Sequence, residues 1–176
     1  MHALVVFESM YGNTKEIAVA VAAGLGTRMA VEIAEVGTAP TTIGDDVSLL
    51  VVGGPTHAHG LSQPDSRRSA AERVETDNGV VSPGIGLREW LARLGEMPAH
   101  VPAAAFDTRI KGPRLVWGSA ARAAEAKLRK AGAQVVAPAE SFYIKGPRGP
   151  IYPAIESGEL ERARRWGERL ASELPH

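Results

Sequence analysis

The turn that decides the fold of this chain reads Phe7-Glu8-Ser9-Met10-Tyr11-Gly12-Asn13-Thr14. It joins an apolar, strand-like run at residues 3–7 directly to the first helical pattern of the chain. At such a turn the hydroxyls of Ser9 and Thr14 and the amide of Asn13 converge with the N–H groups of the first helical turn. Gly12 allows the backbone to approach an anion closely. These residues predict a phosphate-binding turn, and the alternative is a helix cap that follows a tight turn.

Residues 9–14 resemble the phosphate loop of the flavodoxin-like family, whose members hold FMN. Other phosphate-binding motifs fit less well. The chain has no Gly-x-x-x-x-Gly-Lys-Ser/Thr, and no Gly-x-Gly-x-x-Gly follows its first strand-like run, which disfavours a P-loop hydrolase and a dinucleotide-binding fold. The resemblance implies that the FMN phosphate binds at six residues: Ser9, Met10, Tyr11, Gly12, Asn13 and Thr14.

Composition points to one packed domain that spans residues 1–176, since 44% of the residues are hydrophobic and no linker-like stretch interrupts them. The chain has no cysteine, which removes disulfides, thiolate metal sites, iron–sulfur clusters and cysteine nucleophiles. Any redox chemistry must then come from a bound cofactor. Apolar runs stay below membrane-spanning length and no signal-peptide pattern opens the chain, so we expect a cytoplasmic protein.

The charge balance is neutral, with 20 basic and 20 acidic side chains. Such a chain offers no general attraction to nucleic acid or to an anionic membrane, and we expect neither as a partner. Electron-carrier flavodoxins are typically strongly acidic, so the neutral charge is a departure from the pattern that the resemblance implies. It argues against a pure electron shuttle.

Short apolar runs alternate with helical patterns along the chain. Strands are predicted at residues 3–7, 30–36, 47–52 and 101–106, and a fifth strand is predicted in two pieces at 134–136 and 141–144. This alternation predicts an α/β fold, a three-layer doubly wound sandwich with a five-stranded parallel sheet in the order 2-1-3-4-5. In that order the loops after strands one, three and four are neighbours. Residues 9–14, 53–61 and 107–117 are therefore predicted to form one site.

The loop after the third strand contains paired glycines that suggest a sharp turn, and it is similar to the Gly-Gly-Pro-Thr loop of many flavodoxin-like oxidoreductases. In flavodoxins this loop brings an aromatic ring to the flavin, whereas here the only ring systems are the imidazoles of His57 and His59. Either imidazole is a candidate to hydrogen-bond a cofactor, to donate a proton to it or to contact a substrate, and the alternative is a surface turn with incidental histidines. The predicted cofactor-binding residues of this loop are Pro55, Thr56, His57, Ala58, His59 and Gly60. Two imidazoles could begin a zinc or iron site, but the chain has no cysteine and no carboxylate follows at a recognisable spacing. No metal site is therefore expected.

The loop after the fourth strand is long and basic. The resemblance implies that it supplies backbone donors and acceptors to the pyrimidine edge of a flavin, a role carried over to Asp107, Thr108 and Arg109. Trp117 is either a further cofactor contact or a core aromatic residue before the next helix. Lys111, Arg114, Lys145 and Arg148 either make the mouth of the site positive or form a solvated rim. A positive mouth would raise a flavin's potential and would also suit a deazaflavin that carries a glutamate tail.

Residues 62–86 are polar and form an extended crossover compared with a minimal flavodoxin. This crossover segment is a candidate lid or partner surface, and the alternative is an insertion without a role.

The sequence thus predicts a flavoprotein that binds FMN non-covalently and mediates electron transfer or reduces a small-molecule partner. Its chemistry would belong to the cofactor, so no catalytic residue is nominated. The partner would be a redox protein for a carrier or an NAD(P)H-type molecule for a reductase. A deazaflavin-binding protein and a flavin-free interaction domain on the same fold are the alternatives.

Overall fold

A computed structural model describes residues 2–57, 59–73, 79–95, 97–98, 101–112, 118–146 and 154–174. The strands in these ranges are β1 (His2–Phe7), β2 (Ala30–Glu35), β3 (Val47–Pro55), β4 (Pro102–Ile110), β5 (Gln134–Val135) and β6 (Glu140–Ile144). The helices are α1 (Asn13–Leu25), α2 (Pro64–Glu72), α3 (Leu87–Arg93), α4 (Ala120–Lys130) and α5 (Glu159–Glu173). None of the helices in these ranges is long and apolar enough to cross a membrane.

All six strands belong to one parallel sheet in the order β2-β1-β3-β4-β5, and β6 also pairs with β4. The short strand β5 pairs with the beginning of β4, whereas β6 pairs with its second half, from Phe106 to Ile110. The predicted strand order and the two-piece fifth strand are confirmed. The middle stretches of the central strands, at residues 3–7, 49–52 and 103–106, are apolar because helices cover both faces of the sheet.

Two apolar layers hold the helices on the sheet. Along β1, Leu4 and Val6 face the layer beneath α3 and α4, whereas Ala3 and Val5 face the layer beneath α1 and α5. Trp90 of α3 is fully buried in the first layer. Burying a large apolar side chain contributes about 1.5–3 kcal/mol to the free energy of folding. The two layers therefore contribute substantially to the stability of the packing between the sheet and the helices.

Helices α1 and α5 touch through glycines. A Cβ atom added to Gly24 of α1 would lie 2.0 Å from the carbonyl oxygen of Arg164, and one added to Gly167 of α5 would lie 2.2 Å from that of Val21. The two backbones are therefore in direct contact. Helix α1 begins at Asn13, immediately after the predicted phosphate-binding turn, so this contact holds the helix that follows the turn against α5.

Strands β3 and β4 both run further than predicted. Asp107, Thr108 and Arg109 belong to β4 and are buried, so the prediction that a loop starts at residue 107 was wrong. Gly53 lies in β3 opposite Phe106, and a Cβ atom there would lie 2.0 Å from the Phe106 ring. The prediction of a sharp turn at the paired glycines was also wrong, because Gly53 makes room for that ring.

Candidate functional site

A cavity lies at the carboxyl ends of β1, β3 and β4, where ligands bind in doubly wound sheets. Ten of the predicted site residues line it, namely Ser9, Met10, Tyr11, Asn13, Thr14, Pro55, Thr56, His57, Thr108 and Arg109. Ile110 of β4 and Ile144 of β6 complete the lining and were not predicted. A second depression, between α4 and residues 135–139, shares none of these residues. The three predicted loop regions thus meet at one place.

Four other predicted residues are described but do not line the cavity: Gly12, His59, Gly60 and Asp107. Ala58 and Trp117, like Arg114 and Arg148, lie outside the described residues. The contribution of all the predicted residues to cofactor binding stays a prediction.

The turn between β1 and α1 ends in a glycine that caps the helix. Gly12 caps α1 in the left-handed conformation, with φ 97°, and its N–H donates to Ser9 Oγ at 3.1 Å. A Cβ atom on Gly12 would meet no atom within 4 Å. Glycine is therefore favoured here by the left-handed backbone conformation and not by a lack of space. N–H groups in the first turn of a helix lack intrahelical acceptors, and the positive end of the helix dipole lies there as well.

The same turn is tied to β4 by a pair of hydroxyl groups. Thr14 Oγ1 and Thr108 Oγ1 are 2.7 Å apart and both side chains are buried. The two hydroxyl groups have two hydrogens, and one of these hydrogens forms the bond between them. One hydrogen therefore remains for a further acceptor in the cavity.

The crossover segment is attached to this turn at three points. The N–H of Ser9 donates to Ser82 Oγ at 3.0 Å, and the N–H of Ser82 donates to the Ser9 carbonyl at 2.8 Å. The N–H of Val81 donates to the Met10 carbonyl at 3.0 Å, and the Tyr11 hydroxyl donates to the Ala70 carbonyl at 3.1 Å. No local signal in the sequence indicates these bonds, because their partners lie far apart along the chain.

Glu8 is a fully buried carboxyl group directly behind the turn. Its Oε2 accepts a hydrogen bond from the N–H of Leu87, at the start of α3, at 2.7 Å. Burial raises the pKa of Glu8, against the opposing effects of the neighbouring Ser62 hydroxyl, the Leu87 N–H and the Arg67 charge. Arg67 itself donates to Ser62 Oγ at 2.9 Å and to Glu89 Oε1 at 3.1 Å. These buried and half-buried polar groups connect the end of β1 to α2 and α3.

The two histidines of the loop after β3 differ in their placement. His57 lines the cavity, and its Nδ1 lies 3.1 Å from Ser66 Oγ on α2. Burial, and then the nearby positive charge of Arg67, lower the pKa of His57, so its imidazole is neutral at pH 7. His59 is exposed and has φ 78°, in a turn closed by paired hydrogen bonds between His57 and Gly60. Of the two imidazoles, the structure brings only that of His57 to the cavity.

Asp107 lies behind the cavity and binds the start of α4. Its Oδ2 accepts hydrogen bonds from Ser119 Oγ at 2.6 Å, the N–H of Ala121 at 3.0 Å and Thr56 Oγ1 at 3.1 Å. The N–H of Ala120 donates in turn to Thr56 Oγ1 at 3.0 Å. The Asp107 carboxylate therefore orients Thr56, which does line the cavity.

Arg109 brings positive charge to the cavity from β4. Its guanidinium donates to the Gly112 carbonyl at 3.2 and 3.3 Å and lies 5.5 Å from the centre of the Tyr143 ring. The Nζ of Lys111 lies 5.9 Å from the same ring. The end of β4 and the residue that follows it thus place two cations beside Tyr143.

Comparison with known proteins shows similarity at the level of structure. No protein-family model matches the chain, and no curated protein matches its sequence. The structure is similar to that of oxidised flavodoxin 1 from Bacillus cereus, with a TM-score of 0.70, 18% identity and coverage of 99% of this chain and 100% of that one. It is similar to a flavodoxin from the domain Archaea, with a TM-score of 0.65, 19% identity and full coverage of both chains.

A third similar structure is the flavodiiron protein from Giardia intestinalis, with a TM-score of 0.60 and 20% identity. That match covers 98% of this chain and 36% of the other, so the fold also occurs as one part of a larger protein. The strand order and these full-length similarities lead to one conclusion. This chain has the flavodoxin-like fold.

Proposed function

We propose that this chain is a flavoprotein that binds FMN non-covalently in the cavity at the carboxyl ends of β1, β3 and β4. The observation that carries the proposal is the turn at Gly12, a left-handed glycine at the start of α1 with open space beside it. Ser9 and the Thr14–Thr108 pair add hydroxyl groups to the N–H groups of the first helical turn. This donor set suits a phosphate group. Several of the structurally similar proteins are named flavodoxins, which supports the same proposal.

The remaining lining suits a planar ring system. Met10, Pro55, Ile110 and Ile144 provide apolar surface, and Thr56, Thr108 and Arg109 provide polar groups. Ligand sites generally combine an apolar lining with a few polar groups that fix the ligand's orientation. Bound FMN would supply the ability to accept and release one or two electrons, whereas the protein would supply position and charge.

We further propose that the flavoprotein exchanges electrons with an NAD(P)H-type small molecule. The loop at residues 53–61 contains no Trp or Tyr, so it places no large aromatic side chain over a flavin ring. The tyrosine in the β1–α1 turn directs its hydroxyl to α2. An exposed ring face would admit a nicotinamide or another planar substrate. The cations Arg109 and Lys111 beside the cavity favour an anionic partner.

The visible absorption spectrum of the purified protein tests the cofactor proposal. A yellow protein whose released cofactor is FMN is expected, with part of the protein empty, because an uncovered ring lacks stacking contacts. Titration of the empty fraction with FMN, followed by the quenching of flavin fluorescence, should restore the spectrum. A deazaflavin that displaces FMN at lower concentration would favour the deazaflavin alternative. A protein that binds neither FMN nor a deazaflavin would favour the alternative of a flavin-free interaction domain.

Stopped-flow mixing of the FMN-loaded protein with NADH and NADPH tests the choice of partner. Rapid bleaching of the flavin by one of them is the expected result. A loaded protein that neither nucleotide reduces, but that a ferredoxin-type reductase reduces readily, would instead be an electron carrier.

A further inference from the structure

The hydrogen bonds of Ser66 determine which nitrogen of His57 carries the proton. Ser66 Oγ receives the N–H of Gln63 at 2.9 Å and lies 3.0 Å from the Gln63 carbonyl oxygen and 3.1 Å from His57 Nδ1. A hydroxyl group donates one hydrogen bond and accepts two. All three contacts are hydrogen bonds only if the hydroxyl donates to the Gln63 carbonyl and accepts from His57. His57 then carries its proton on Nδ1.

The position of Ser66 follows from the start of α2. Gln63 is the N-cap residue of α2 and Ser66 is the third residue of the helix, so the hydrogen bond from the Gln63 N–H to Ser66 Oγ is one half of a capping box. The hydroxyl that receives His57 Nδ1 is thus held by the helix start. This couples the orientation of the imidazole to the crossover segment, which is itself bonded to the phosphate-binding turn through Tyr11 and Ser82.

The charges around His57 favour its neutral form. Arg67, the residue after Ser66, places a positive charge near the imidazole, and Arg109 of β4 lines the same cavity. The carboxylate of Glu89 on α3 pairs with Arg67 at 3.1 Å, and Glu8, the residue after β1, lies buried near Arg67. Among the described residues no group forms a hydrogen bond with His57 Nε2. A neutral imidazole with its proton on Nδ1 presents a lone pair at Nε2.

We propose that His57 Nε2 is a hydrogen-bond acceptor for an N–H or O–H group of the ligand in this cavity, and that Ser66 is the positioning residue that fixes this tautomer. The ligand half of the proposal rests on the proposed function, because the donor group would belong to FMN. His57 accordingly accepts a hydrogen bond from a donor group of the ligand and does not supply a proton to it. This assigns opposite roles to the two ends of the cavity, with donors at the phosphate-binding turn and an acceptor at His57.

Nitrogen-15 NMR of the imidazole in the flavin-free protein tests the tautomer without any cofactor. The expected spectrum shows a protonated Nδ1 and an unprotonated Nε2 in the wild type at pH 7.5, and a mixture of both tautomers in Ser66→Ala. Ser69→Ala is the matched control, because Ser69 is an exposed serine on the same helix. A proton on Nε2 in the wild type, or a spectrum unchanged in Ser66→Ala, overturns the tautomer assignment.

Equilibrium binding of FMN tests the ligand half. His57→Leu removes the acceptor and should weaken FMN affinity about fivefold, as expected for one neutral hydrogen bond, whereas His57→Gln keeps an acceptor and should lose less. His2→Gln serves as the control, because His2 lies at the amino end of β1, at the other end of the strand from the cavity. Equal affinity for wild type and His57→Leu overturns the ligand half. If the wild type binds no FMN, the proposed function fails together with the ligand half, and the NMR result still decides the tautomer.

Discussion

Single buried polar residues at the carboxyl ends of the strands determine how the site is assembled. Asp107 receives three hydrogen bonds through one carboxylate oxygen, and these bonds join β4 to the start of α4 and to Thr56. Glu8 plays a related part between β1 and α3. Neither carboxylate lines the cavity, so both act on the site through the residues that they hold. At this scale the polar residues near a site divide into those that face it and those that support it.

Replacing Asp107 with Leu should lower the free energy of unfolding by about 2–4 kcal/mol, because three donors would lose their buried acceptor. Chemical denaturation measures this change. Asp65→Ala is the control, since Asp65 is exposed on α2 and should alter stability by less than about 0.5 kcal/mol. If both variants are as stable as the wild type, the Asp107 carboxylate does not hold α4.

Whole elements were more predictable from the sequence than single contacts. The run at residues 47–52, apolar except for Ser48, and the alternation of strands with helices predicted the sheet order. The ends of β3 and β4 were missed because their residues contact partners distant in sequence. Gly53 lies against the ring of Phe106, and Asp107 accepts hydrogen bonds from the start of α4. The bond from Tyr11 to the crossover segment was missed for the same reason. Local patterns predict elements, whereas long-range contacts determine where they end and how the site is supported.

The contact between α1 and α5 predicts a strong effect of a single methyl group. Gly24→Ala should lower the free energy of unfolding by about 1–3 kcal/mol, because the added Cβ meets the Arg164 carbonyl of a rigid helix. A gain in helix propensity of about 1 kcal/mol acts in the opposite direction and does not relieve the clash. Gly84→Ala is the matched control, since a Cβ there meets no atom within 4 Å. Equal thermal midpoints for the two variants would contradict direct backbone contact between the helices.

The stability of the whole molecule should depend on pH through Glu8. Burial raises its pKa in the folded state, so as pH rises above about 4.5 the unfolded chain loses this proton first. The contribution of Glu8 to stability is therefore present at low pH and is lost as pH rises through the folded-state pKa. Glu8→Gln keeps an acceptor for the Leu87 N–H and cannot ionise.

The Glu8→Gln variant should be more stable than the wild type at pH 8, and this difference in the free energy of unfolding should vanish below about pH 4.5. Urea denaturation at several pH values measures the difference. A constant difference across this range would show that Glu8 does not titrate with a raised pKa.

Phosphate recognition at the turn before α1 is tested most directly by comparing the binding of FMN with that of riboflavin, which lacks the phosphate. Two charge-assisted hydrogen bonds contribute about 3–6 kcal/mol, so FMN should bind about 10²–10⁴-fold more tightly. This preference should shrink in the double variant Asn13→Leu/Thr14→Val and persist in Thr27→Val, a control beyond the other end of α1. Equal affinities of the wild-type protein for FMN and riboflavin, measured by calorimetry, would contradict a phosphate site at this turn.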